Sequence, residues 1–77
     1  MKIGIIAALP GELKPLVRGW RRIPTPGRHI RMWSSVMQND EVIAVCGGMG
    51  AEAALRSFAA AESTGPLDIV LDRKSVV

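Results

Sequence analysis

Two stretches of the 77-residue chain combine residue types that could do chemistry. The first is Ala8-Leu9-Pro10-Gly11-Glu12. It follows an apolar run and precedes a helical pattern, so it would stand at the C-terminal edge of a strand, where α/β sheets place their ligands. A carboxylate at Glu12, in a first helical turn beside that edge, can accept a proton from a water. It can equally do no more than complement the helix dipole. The second stretch is Gly47-Gly48-Met49-Gly50, between an apolar run and an alanine-rich one. Free backbone N–H groups at a helix N-terminus attract anions, and glycines let a ligand approach the backbone closely. The alternative is a tight turn that packs helix against strand with no ligand at all.

The second loop also matches a dinucleotide fingerprint. Gly48-Met49-Gly50-Ala51-Glu52-Ala53 reads as G-x-G-x-x-A, and Asp68 or Asp72 follows about twenty residues on, where a ribose-binding acid would sit. A Rossmann-type dinucleotide-binding unit is therefore the rival reading. Its difficulty is position, because a strand, a helix and a hairpin precede the loop, whereas that fingerprint opens its own fold.

The elements that would position these residues follow from pattern. Lys2–Leu9 is nearly continuous in apolar residues, as a strand covered on both faces must be. Pro10-Gly11 turns the chain. Leu13, Leu16, Val17 and Trp20 recur at helical spacing, and Pro15 is tolerable only in a first turn, so a helix should begin near Glu12. Arg18, Arg21 and Arg22 would then meet the negative end of its dipole. The stretch Ile23-Pro24-Thr25-Pro26-Gly27 reads as a loop. Residues 28–37 and 41–46 read as a hairpin turning at Asn39-Asp40. A helix is expected from Ala51 to about Glu62 with Ala54, Leu55, Phe58 and Ala61 on one face, stopped by Ser63-Thr64-Gly65-Pro66. Leu67–Leu71 reads as a last buried strand. The order is β-α-β-β-α-β.

Composition narrows the classes. Hydrophobic residues make up 48% of the chain, which excludes a disordered tail. No apolar run is long enough to span a bilayer. The N-terminus lacks a signal peptide's basic region and cleavage site, so a cytoplasmic location is expected and no membrane contact. The single cysteine, Cys46, rules out an internal disulfide and reads as a small buried hydrophobe. A nucleophilic role would need His29 beside it. The net charge is +3, and Lys14, Arg18, Arg21, Arg22, Arg28 and Arg31 follow one another without an intervening acid. A solvated basic face is favoured over a nucleic-acid patch, because the interleaved aromatics of single-strand binders are missing. No metal site and no cofactor are expected.

Taken together, the opening Met1–Leu13, the Gly47–Ala54 loop and helix, and the strand Leu67–Leu71 resemble the superfamily of purine nucleoside phosphorylases, uridine phosphorylases and methylthioadenosine/S-adenosylhomocysteine nucleosidases. Bacterial phosphorylases with a start of the AALPxELxPL kind are similar to this chain over Ala7–Leu16. The resemblance implies an α/β chain forming the N-terminal β-α-β-β-α-β part of a phosphorylase/hydrolase-like three-layer fold, over residues 1–71. It implies cleavage of the N-glycosidic bond of purine nucleosides, by phosphorolysis or hydrolysis. Glu12 would match the acid that activates water. Ala8, Gly11, Gly48 and Gly50 would match the positions lining phosphate or substrate. The implied partners are a nucleoside, phosphate and further copies of the same chain. Residues 72–77, Asp-Arg-Lys-Ser-Val-Val, depart from the family's glycine-rich continuation, and the family's base-binding, ribose-binding and purine-protonating groups match nothing in this sequence. The chain is expected to be a fragment, inactive alone.

Overall fold

A computed structural model describes residues 1–8, 10–25 and 29–73, with the side chains of Pro10, Glu12, Asp72 and Arg73 outside what is described. The chain forms β1 (Lys2–Ala7), α1 (Pro10–Leu13), β2 (Arg21–Ile23), β3 (Arg31–Met37), β4 (Asp40–Cys46), α2 (Ala51–Glu62) and β5 (Ile69–Arg73). The five strands make one mixed sheet in the order β2-β3-β4-β1-β5. The pairs β4–β1 and β1–β5 are parallel, while β2–β3 and β3–β4 are antiparallel. The α/β class expected from pattern is the one observed.

The sheet is packed on both faces, which gives three layers. One face carries Ala7, Ala44 and Cys46 against Leu13 and Val17, with Leu16, Trp20 and Trp33 at the margin. The other carries Met32, Ile43 and Val45 against Ala61 of α2, with Ile23, Ile30 and Leu67 alongside. Successive residues of β4 supply the two faces in turn, which is why Val42–Cys46 is buried throughout and apolar throughout.

Several sequence expectations need correction. The helix expected from Glu12 onward is only the single turn Pro10–Leu13. Because that turn starts at Pro10, Pro15 falls beyond its first turn, where it lacks an N–H and crowds the preceding carbonyls. The chain continues as hydrogen-bonded turns, with the Val17 N–H donating to the Leu13 carbonyl at 2.9 Å and the Trp20 N–H to the Val17 carbonyl at 2.9 Å. The apolar stripe therefore still reaches the core without a continuous helix. Arg21 and Arg22 are not helix-terminal cations. Gly19, at φ +82°, redirects the chain and they enter the edge strand β2. The hairpin turns one residue earlier than expected, at Gln38 (φ 49°) and Asn39 (φ 73°), between the paired Met37 and Asp40. Two positive-φ residues in a two-residue loop are what a type I′ turn requires.

The α2 boundaries match the expectation, but its buried face is Ala53, Ser57 and Ala61, and Leu55 is exposed. The face is set by the smallest side chains, since they allow the helix close to β4 and β1. β5 runs two residues beyond the expected strand, and Ile69, Val70 and Leu71 are each at least 40% exposed rather than buried.

The N-terminal ends of the parallel strands are tied together. The Lys2 N–H donates to the Asp68 carboxylate at 2.7 Å, and the Asp68 N–H returns to the Lys2 carbonyl at 2.8 Å. The Lys2 ammonium donates to the Thr64 carbonyl at 2.5 Å and lies 3.5 Å from Glu41.

Candidate functional site

The candidate residues are assembled by strand register. In the parallel β1–β4 pair, Ala7 lies opposite Cys46. The two strands thus end side by side, about 4.8 Å apart. The chain leaves β1 into Ala8 and α1, and leaves β4 into Gly47–Gly50 and α2. Loops separated by nearly forty residues in sequence thereby open at one sheet edge. The Cys46 thiol joins them by donating to the Ala8 carbonyl at 3.6 Å. Cys46 itself is buried and His29 exposed, so the thiol is a packed cross-link between two loops and not an accessible nucleophile.

The glycine loop has three different reasons for its glycines. Gly47 is buried against α2, and a Cβ there would overlap the Ser57 hydroxyl and approach the Ala53 carbonyl oxygen to 3.3 Å. It permits the close helix–strand contact. Gly48 (φ +100°) and Gly50 (φ +99°, ψ 162°) adopt backbone conformations that L-residues rarely reach. Gly50 is the N-cap of α2; its carbonyl accepts from the Ala54 N–H at 3.0 Å, and no side chain caps the helix. The first-turn amides of α2 therefore have no intrahelical acceptor. Gly48, Met49 and Gly50 are all exposed. This edge offers uncapped donors at a helix N-terminus; among the described residues a Cβ at Gly50 would meet nothing within 4 Å, and one at Gly48 only the Ala53 Cβ at 3.8 Å.

Glu12 lies in α1, at the same edge, and Gly11 immediately before it is exposed with nothing within 4 Å of a would-be Cβ. The Glu12 side chain is outside the described set. Ala8 is half-buried between the two loops. The structure thus brings Ala8, Gly11 and the Glu12 backbone to the edge that carries Gly48 and Gly50. Sequence reasoning overlooked Arg31. It begins β3 opposite Cys46, so an exposed cation starts from this same edge. In the sequence it was one more member of a basic run, and only the hairpin register reveals its place.

Neither acid that the fingerprint offered lies where a dinucleotide site needs it. Asp68 precedes β5 at the opposite end of the sheet, where it binds the Lys2 amide. β5 is also not the neighbour of the loop-bearing strand, because β1 lies between β4 and β5. A dinucleotide fingerprint needs its acid at the end of the adjacent strand. Asp72, opposite Ile6, is on the correct end but the wrong strand. Among the described residues no cluster of three or more His, Cys, Asp or Glu could hold a metal ion, and no helix is long and apolar enough to cross a membrane.

The same arrangement of strands, crossover and loops occurs in solved nucleosidases. A futalosine hydrolase mutant of Helicobacter pylori superposes with a TM-score of 0.82 at 22% identity, over 96% of this chain and 34% of that one. The Helicobacter pylori 5′-methylthioadenosine/S-adenosylhomocysteine nucleosidase bound to butyl-thio-DADMe-Immucillin-A superposes at 0.79 and 22% identity, over 94% and 32%. This chain has the fold of one part of these proteins. It spans about a third of the length of those nucleosidases. No protein-family model matches the sequence, and no curated protein does. The three-layer phosphorylase/hydrolase-like architecture expected from the resemblance is thus the one found, at a sequence identity that speaks for the fold alone.

Proposed function

We propose that this chain supplies the strand-edge part of a site that cleaves the N-glycosidic bond of a purine nucleoside. The observation that carries the reading is the opposition of Ala7 and Cys46, which gathers the Glu12 turn and the Gly48–Gly50 loop at one edge of a nucleosidase-like sheet. In this reading Glu12 takes a proton from the attacking water or orients the attacking phosphate. The uncapped amides at the start of α2 hold an anionic or hydroxyl-rich part of the substrate, which Gly48 and Gly50 allow to approach. Ala8 and Gly11 form the wall between them. Base recognition and protonation of the leaving purine belong to residues outside this stretch, so the 77-residue chain alone is inactive. The complete site acts in a homo-oligomer, uses no metal or redox cofactor, and works on a nucleoside with water or phosphate.

The test is a graft. Residues 1–71 replace the corresponding third of the Helicobacter pylori nucleosidase that binds butyl-thio-DADMe-Immucillin-A. Purine release from 5′-methylthioadenosine and inosine is then followed with and without phosphate. Release of the free sugar without phosphate, 5-methylthioribose from 5′-methylthioadenosine or ribose from inosine, assigns hydrolysis, and phosphate-dependent release of the sugar 1-phosphate assigns phosphorolysis. A folded graft that releases no purine under either condition contradicts the proposal.

A further inference from the structure

The basic run from Lys14 to Arg31 takes no part in the site just described, apart from Arg31. Part of it forms β2, the outer strand of the sheet. Register with β3 sets Arg21 beside Ser34 and Ile23 beside Met32 on the face that carries α2, whereas Arg22 projects to the other face and lies 5.6 Å from the centre of the Trp33 ring. Two recesses meet at Pro24 on the α2 face. One, of about 260 Å³, is walled by Arg21 and Ser34. The other, of about 340 Å³, is an apolar groove between Ile30 and Met32 on one side and Ala60 on the other, with Arg56 at its rim. Arg21, Arg22 and Arg56 are exposed, and among the described residues none is ion-paired.

We propose that the β2 edge binds an extended acidic peptide of a partner protein by strand addition. An added strand satisfies the outward backbone groups of the edge and places alternate side chains on alternate faces. On the α2 face, an acidic residue beside Arg21 and an apolar residue two positions away meet the small recess and the apolar groove in turn, with a further acid near Arg56. The intervening residue meets Arg22 on the opposite face and is also acidic. Pro24 has no N–H and closes the strand at that end, so the docked segment is short. Arginines on both faces of one edge repel a second copy of the same edge, which selects a partner of opposite charge. Nucleic acid is disfavoured because the groove is aliphatic and Trp33, paired with Arg22 of the edge strand, already has the Arg22 guanidinium over its ring.

The experiment is fluorescence anisotropy with a fluorescein-labelled peptide that repeats Glu-Glu-Leu-Glu, which sets glutamate and leucine in turn on one face and glutamate on the other, beside a lysine-for-glutamate counterpart and labelled oligouridylate. The glutamate peptide binds, and amide exchange slows at Arg21–Ile23 in the complex. The Arg21→Glu/Arg56→Glu variant, with an unchanged circular dichroism spectrum, loses about tenfold or more in affinity, as expected where oppositely charged groups are made to repel. Should that double variant misfold, Arg56→Glu alone, on the exposed side of α2, gives a smaller loss in the same direction. Equal binding of the two peptides, unchanged affinity in a folded variant, or tighter binding of oligouridylate would each overturn the proposal.

Discussion

Gly47 and Ser57 touch across the β4–α2 turn so closely that a single methyl group at Gly47 would overlap the Ser57 hydroxyl. That hydroxyl is itself buried and donates to the Ala53 carbonyl at 2.8 Å. The contact fixes the helix against the strand at the point where the glycine loop begins, so it sets where the α2 N-terminus opens. Gly47→Ala should destabilise the chain by about 1–3 kcal/mol, the range for overpacking a close-packed site. Ser57→Ala should cost about 1 kcal/mol or less, because it removes one intrahelical hydrogen bond. The double variant should be more stable than the sum of the two, with coupling of about 1 kcal/mol. Urea denaturation of the three variants measures this, and strict additivity would show that the contact is not the source of the cost.

Gly50 poses the opposite case, because space is open around it and the backbone alone demands glycine. At φ 99° and ψ 162° it lies outside the left-handed helical region that asparagine tolerates. Gly50→Ala and Gly50→Asn should therefore destabilise alike, by about 1–3 kcal/mol. Thermal melts of both variants check this; a clear rescue by asparagine would be inconsistent with the backbone described.

At the hairpin the sequence is not the best one for its own turn. Gln38 and Asn39 both adopt positive φ, which asparagine and glycine accept more readily than glutamine. Gln38→Asn with Asn39→Gly should raise stability by about 0.5–1 kcal/mol. An unchanged or lowered denaturation midpoint would contradict the type I′ geometry.

The hairpin also shows what could be read from the sequence and what could not. The two hairpin strands, expected over 28–37 and 41–46 and found over 31–37 and 40–46, were legible because alternation and apolar runs are local signals. The turn was displaced by one residue because Asn39-Asp40 is the stronger textual signal, while pairing of Met37 with Asp40 decides the geometry. Leu13, Val17 and their neighbours were legible as core but not as a broken helix, since the effect of Pro15 depends on where the turn starts. β2 was invisible as a strand: its charges suit a helix end as well as an exposed edge. The glycine loop and the Glu12 turn could each be found by type and spacing, but only their shared sheet edge makes them a site, and that is a property of parallel register.

β5 leaves Ile69, Val70 and Leu71 exposed along its outer edge, with Leu55 exposed on α2. An uncovered apolar edge strand invites association with another chain. The isolated chain should self-associate at micromolar concentration, and Val70→Lys should shift sedimentation toward monomer. A wild-type chain that sediments as a monomer and melts sharply would contradict this.

The most direct measurement of the central claim is the rate of purine release by the graft with and without the Glu12 carboxylate. Glu12→Gln keeps size and hydrogen bonding while removing the base. If Glu12 takes the proton from the attacking water, the rate falls by about 10²–10⁴-fold, the usual contribution of a positioned general base, while butyl-thio-DADMe-Immucillin-A still binds. Equal rates for the two grafts, both folded, would contradict the account.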